Sequence, residues 1–280
     1  MGRAAVEAVR RARAGGGGPV LAAAVLDAPA DWDPAAIAFA ARRPGEPLWI
    51  VEQPDRDGRA LAGLGAVASL GGSGDDRFAS VAAAWRRVAG RATGEGVLAL
   101  GGFAFAPDGG GSPAWEGFPG SSLVVPEVAL VRERGEVRLV LAARADPDDT
   151  PEDLEARVAA RLASLRAAAL PLLDPAPVGR TRVVSALAPE HYEEAVGRAV
   201  ERIRDGEFEK IVLAREVQVH APVDHDAAAV HGVLREAFPS CFTYCVARGD
   251  AAFLGASPEL LVRREGQRAS TVALAGSTRR

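Results

Sequence analysis

The chain carries 33 basic residues, and only one of them, Lys210, is a lysine. Arginine keeps its proton at any biological pH, whereas a lysine amine can shed one in an apolar or cationic setting. A chain that writes its other cations as Arg therefore points to Lys210 for base chemistry, although GC-rich coding alone yields the same skew. In EKIVLAREVQVH at 209–220, strand alternation puts Lys210 on one face with Val212 and Ala214 and turns Ile211 and Leu213 to the other. The amine is then expected among small apolar neighbours, against the alternative of a lysine snorkelling at a strand entrance. Glu259 is the natural partner. It follows Gly255-Ala256-Ser257-Pro258 and precedes Leu260-Leu261, so a turn hands over to a strand there, and a carboxyl that keeps its proton could act as an acid. The alternative is a solvated turn carboxylate. Ala275-Gly276-Ser277-Thr278 closes the last apolar run with small residues whose N–H groups and hydroxyls could hold a carboxylate, with Arg279 and Arg280 adding charge.

Other chemistries have weaker support. The glycine clusters lack G-K-[ST], which removes a P-loop. Gly63-Leu64-Gly65-Ala66-Val67-Ala68 satisfies a dinucleotide-binding pattern, but Gly71-Gly72-Ser73-Gly74 forbids the helix that would present its N-terminus to a pyrophosphate. These glycines read as strand bends and turns. His191, His220, His225 and His231 show no pair at helical ligand spacing and read as solvated or capping imidazoles. No G-x-S-x-G elbow supports a serine hydrolase.

The elements that must position these residues follow from hydrophobic period. Strands are expected in VLAAAVL, PLWIVEQ, RALAGLGAVASL, GVLALGGFAFA, SLVVPEVALVRE and EVRLVLAAR between residues 20 and 145. A helix interrupts them, with Phe78, Val81, Trp85 and Val88 on one stripe, Asp75 or Asp76 as cap and Gly90 as stop. A second helix opens at Thr150-Pro151-Glu152 and runs to about Leu170, before the Pro-rich LPLLDPAPVG that marks the best boundary. Beyond it come an amphipathic helix over PEHYEEAVGRAVERIRDG, the Lys210 strand, a helix from about Asp226 to Phe238, and four short strands able to form an antiparallel meander.

Taken together, EKIVLARE at 209–216, FLGASPELLVRREG at 253–266 and LAGSTRR at 274–280 resemble the chorismate-utilising enzymes, the family of isochorismate, salicylate, aminodeoxychorismate and anthranilate synthases. ALAGLGAVASL at 60–70 and GGFAFAP, with Trp115 and Phe118-Pro119 following, are similar to the N-terminal half of isochorismate synthases. The resemblance implies an α+β fold of layered, largely antiparallel sheets flanked by helices, with chorismate as substrate, Mg²⁺ as the cofactor and isomerase chemistry. Water would add at C2 of the ring while the C4 hydroxyl departs. Lys210 matches the general base and Glu259 the general acid, and Gly276 and Ser277 match substrate-contacting positions. Anthranilate synthases carry Gln where this chain has Lys210 and deliver ammonia. Salicylate or aminodeoxychorismate synthesis, or a non-catalytic remnant that binds a partner through an unfinished sheet, are the alternatives, and the product of the reaction would serve menaquinone or siderophore synthesis.

The family continues past LAGSTRR with the Glu ligands for Mg²⁺, so the resemblance implies a truncated chain whose metal ligands lie beyond residue 280. The expected division is a β-rich N-terminal lobe over 1–175 and the first part of a catalytic domain over 176–280. Composition adds that 280 residues, 48% hydrophobic and 25% charged, suit a folded globular protein. A net charge of -4 without a basic block gives no footprint for nucleic acid or a membrane surface. Cys241 and Cys245 are too far apart along a strand for a disulfide and read as core thiols in a reducing compartment. The N-terminus imitates a signal peptide, but Glu7 in its basic region and four glycines before the apolar run argue instead for a cytoplasmic chain whose order begins with a β-strand. A monomer is expected.

Overall fold

The computed structural model describes residues 1–15, 19–109, 111, 115–174 and 179–272. In order, the elements are α1 (Gly2–Arg13), β1 (Val20–Ala28), α2 (Pro34–Ala41), β2 (Leu48–Gln53), β3 (Arg59–Leu64), β4 (Ala68–Leu70), α3 (Arg77–Arg91), β5 (Thr93–Gly94) and β6 (Leu100–Phe103). They continue with β7 (Ser121–Val125), β8 (Val128–Glu133), β9 (Glu136–Ala145), α4 (Pro151–Leu162), β10 (Arg182–Ser185), α5 (Pro189–Arg204) and β11 (Val217–His220). The last are α6 (Ala227–Ala237), β12 (Phe242–Arg248), β13 (Ala251–Ser257), β14 (Arg263–Glu265) and β15 (Arg268–Ser270). The chain divides into two compact units, Met1–Leu172 with Ala227–Arg280, and Leu173–Asp226. Strands β12 and β13 join the sheet built by the first 172 residues, and helix α6 belongs to the same compact unit.

The first unit is built on one eight-stranded sheet in the order β13-β12-β2-β3-β8-β9-β1-β5, antiparallel throughout except for the short β1–β5 pair. This is the expected α+β fold of largely antiparallel sheets. Alternation decides its two faces. Leu48 and Ile50 of β2 join Leu130, Leu141 and Cys245 in the main core, which Ala5, Val9, Ile37, Leu154 and Val158 of the helices also enter. Trp49 faces the other way, into a smaller cluster with Leu100 and Val124 of the three-stranded sheet β4-β7-β6. Gly63 makes that stacking possible, since a Cβ there would lie 2.5 Å from Leu100 Cδ1.

Several sequence expectations need correction. The N-terminal stretch is helix α1, and its buried Ala5, Ala8, Val9 and Ala12 form a stripe at helical spacing that packs into the main core. Helix α2 is also new. Its N-cap Asp33 accepts from the Ala36 N–H at 3.0 Å, and Pro34 occupies the first turn. Helix α3 runs through Gly90 to Arg91. Helix α4 starts as expected, on a capping box between Thr150 and Asp153, but ends at Leu162. The 59–70 run breaks at Gly65, whose φ is +73°, into β3 and β4, and no helix starts there to serve a dinucleotide.

His231 is the largest correction among the titratable residues. His191, His220 and His225 are exposed as expected, but His231 of α6 is fully buried and its Nε2 lies 2.5 Å from Glu52 Oε1 on β2. Arg235, one helical turn on, donates to Glu52 Oε1 at 2.8 Å and Oε2 at 3.0 Å, and to Asp33 Oδ2 at 2.6 Å and Oδ1 at 3.1 Å. One guanidinium therefore ties α6 to β2 and to the cap of α2. Burial pushes the Asp33 carboxyl up, but the Arg235 hydrogen bond and the Ala36 N–H outweigh it and hold it below the usual carboxylate range. Burial likewise pulls Arg235 down, and the bonds and charges of Asp33 and Glu52 raise it above its ordinary value. Both cysteines are free and buried, as core thiols should be, and burial pushes Cys245 up to about 12.

Candidate active site

Lys210 belongs to the second unit. There β10 and β11 pair antiparallel from Arg182↔His220 to Ser185↔Val217, and α5 carries the expected stripe of Tyr192, Val196 and Ala199. The expected strand over 209–220 is present only as Val217–His220; residues 208–216 have no regular structure. Lys210 is exposed, as are Val212 and Ala214, so the small apolar face expected around the amine is not formed among the described residues. The physical reason is that no strand among the described residues pairs with 209–216. The ladder stops at the Ser185↔Val217 pair, and one further bond, from the Ala186 N–H to the Glu216 carbonyl at 3.2 Å, carries the pairing beyond it. β-branched residues without a pleated surface to pack on do not make a strand.

What holds the segment is local. Gly206, with φ +79°, ends α5, and Arg202 donates to Glu207 Oε2 at 2.6 Å while its guanidinium stands 4.6 Å over the Phe208 ring. Tyr192 Oη donates to the Leu213 carbonyl at 3.4 Å, and Arg215 lies 5.8 Å from the Tyr192 ring centroid. A cavity of about 450 Å³ opens beside these residues, lined by His191, Tyr192 and Leu213–Glu216 but not by Lys210.

Glu259 belongs to the first unit. It is exposed, two residues past the end of β13, in the irregular stretch before β14 begins at Arg263; the strand expected from Glu259 onward starts four residues late. Ser257 Oγ donates to the Glu259 carbonyl at 3.5 Å. Thr271 Oγ1 donates to the carbonyls of Leu260 and Leu261 at 3.1 and 2.8 Å, which folds the β14–β15 hairpin back on the turn. Gly276 and Ser277, like Arg279 and Arg280, lie outside the described residues. The meander is observed in two parts, the β12–β13 hairpin in the large sheet and the separate β14–β15 pair.

For Mg²⁺, the described residues contain no group of three or more His, Cys, Asp and Glu able to hold a metal ion, so they do not by themselves fit the cofactor. A feature that the sequence reading missed stands on the other side of the large sheet. Trp49, Trp115, Tyr244 and Phe253 line a cavity of about 630 Å³ with Arg248 at its wall. The signal available in sequence was the density of aromatic residues in GGFAFAP, Trp115 and Phe118, together with Tyr244 and Phe253.

The family model described as "Chorismate binding enzyme" matches residues 7–280, nearly the whole chain. The chain belongs to the chorismate binding enzyme family. Within that family it is 33% identical over 237 residues to the salicylate biosynthesis isochorismate synthase of Pseudomonas aeruginosa, covering 84% of this chain and 49% of the relative. The anthranilate synthase component 1 of Haloferax volcanii is 34% identical over 145 residues, 51% of this chain and 27% of the relative. Among solved structures, the menaquinone-specific isochorismate synthase MenF of Escherichia coli superposes with a TM-score of 0.66 at 22% identity, over 93% of this chain and 56% of that one. This chorismate binding enzyme chain thus shares the MenF fold and spans about half the length of the relatives it matches.

Proposed function

We propose that this chain carries the first part of an isochorismate synthase, a Mg²⁺-dependent isomerase that adds water at C2 of chorismate and expels the C4 hydroxyl. The observation that carries the reading is the 33% identity across 84% of the chain to a relative named as an isochorismate synthase. Lys210 is proposed as the general base that takes the proton of the attacking water, and Glu259 as the general acid that neutralises the departing hydroxyl. The chemistry requires both: water near neutral pH is a poor nucleophile, hydroxide a poor leaving group, and one base with one acid serves both ends of the same displacement. Gly276 and Ser277 are proposed to bind a substrate carboxylate through backbone N–H groups and a hydroxyl. Mg²⁺ would supply charge to the bound substrate, and its ligands are sought outside the described residues. An amine at position 210, where the resemblance puts Gln in the ammonia-delivering synthases, favours water over ammonia as nucleophile.

The test is product analysis by chromatography after incubating a full-length version, which adds the Mg²⁺ ligands expected beyond residue 280, with chorismate and Mg²⁺, with and without ammonium. Isochorismate is expected in both cases. Lys210→Ala and Glu259→Gln should each abolish it while the far-UV circular dichroism stays unchanged. An aminated product formed only with ammonium would replace the reading with an amine-delivering synthase, and parent rates in either variant would remove that residue from its role.

A further inference from the structure

The aromatic cavity has an occupant's chemistry written into its walls. Its volume, about 630 Å³, falls in the range that takes small organic ligands. The rings of Trp115 and Phe253 stand 5.0 Å apart, centroid to centroid, and those of Tyr244 and Phe253 5.4 Å apart, so the walls offer flat apolar faces. Besides Ser122 and the Tyr244 hydroxyl, Arg248 and the Trp49 indole break that surface. Arg248 donates an Nη2 hydrogen to Ser122 Oγ and places its Cζ 5.8 Å from the Trp49 ring centroid. Among the described residues no carboxylate pairs with it, and burial without such a partner pulls its pKa below the ordinary arginine value. The second is the Trp49 indole. Trp49 is 7% exposed, yet its Nε1–H is buried with no hydrogen-bond partner. A guanidinium lacking a counter-charge at the wall of an aromatic cavity, next to the Trp49 ring, calls for a ligand with negative charge.

We infer that this cavity binds a small aromatic monocarboxylate, its carboxylate on Arg248 and its ring among Trp115, Tyr244 and Phe253. Arginine's planar fork matches a carboxylate, and the rings match a planar body. One cation at the wall suits a monoacid rather than a diacid. The site is separate from Glu259. Glu259 does not line the cavity and lies two residues past the end of β13, beyond Phe253.

The test uses 2-naphthoate as probe and 2-naphthamide, its neutral counterpart, as control, titrated into ¹⁵N-tryptophan-labelled protein. The Trp49 indole resonance, assigned by its loss in Trp49→Phe, should shift on adding 2-naphthoate. The amide should bind about ten-fold more weakly or worse, and Arg248→Gln should cost the acid a similar factor while Arg248→Lys retains part of it. If Arg248→Gln fails to fold, the acid-to-amide ratio on the parent protein decides. Equal affinity for acid and amide, or a Trp49 resonance unmoved at millimolar 2-naphthoate, would overturn the inference.

Discussion

Replacing Arg235 by methionine tests the strongest electrostatic tie between α6 and the sheet. Arg235 is the only guanidinium bonded to Glu52 among the described residues, and the Glu52 side chain is 6% exposed. Without it, Glu52 keeps one partner, the His231 Nε2, and Asp33 keeps the Ala36 N–H. Breaking a buried ion pair from one side costs about 3–5 kcal/mol, because the surviving charge stays desolvated. Since the Arg235 and Asp33 side chains are 22% and 27% exposed, water partly relieves that penalty, and the lower end, about 3 kcal/mol, is expected. At about 2–4 °C per kcal/mol for a unit of this size, the midpoint should fall by roughly 6–12 °C. All four tryptophans, Trp32, Trp49, Trp85 and Trp115, lie in the first unit, so urea unfolding followed by tryptophan fluorescence reads the relevant transition. Adding Glu52→Gln should restore at least about 1 kcal/mol, because the amide still accepts from His231 and the charge of the most buried carboxylate is gone, leaving only the partly exposed Asp33 without its guanidinium. A single-variant loss under about 1 kcal/mol, or a double variant as weak as the sum of both losses, would refute the reasoning.

Two further outcomes follow from the same unit. Asp33→Asn should destabilise at pH 7, and the gap to the parent should close on acidification. The parent carboxyl is held below its unfolded value, so its contribution is complete above about pH 4 and is lost as pH falls through the folded pKa; equal gaps at pH 7 and pH 3 would contradict this. Gly255→Ala would put a Cβ 2.3 Å from Tyr244 Oη and 2.5 Å from Cζ, forcing the ring off its register partner and out of the cavity wall. A loss of about 1–3 kcal/mol in urea unfolding is expected, shrinking toward zero in a Tyr244→Ala background, and no loss in the parent background would show that the ring yields freely.

How much could be read from residues alone divides along a physical line. Period and punctuation located β1, β2, β9, α5 and α6, because alternation and helical stripes are local properties that survive without knowledge of partners. The motif spacing of Lys210 and Glu259 carried the family, which nearly full-length matching then established. The same local logic failed at 209–216, where strand-forming residues find no neighbouring strand among the described residues to complete the ladder. It also missed α1 and α2, whose alanine-rich faces look like a leader and a loop until a core is there to receive them. Only tertiary structure decided that His231 meets Glu52 across 179 residues, or that Trp49 and Arg248 share one cavity wall. Those pairings depend on which strands lie side by side, and strand order is a property of the whole sheet that no single segment encodes.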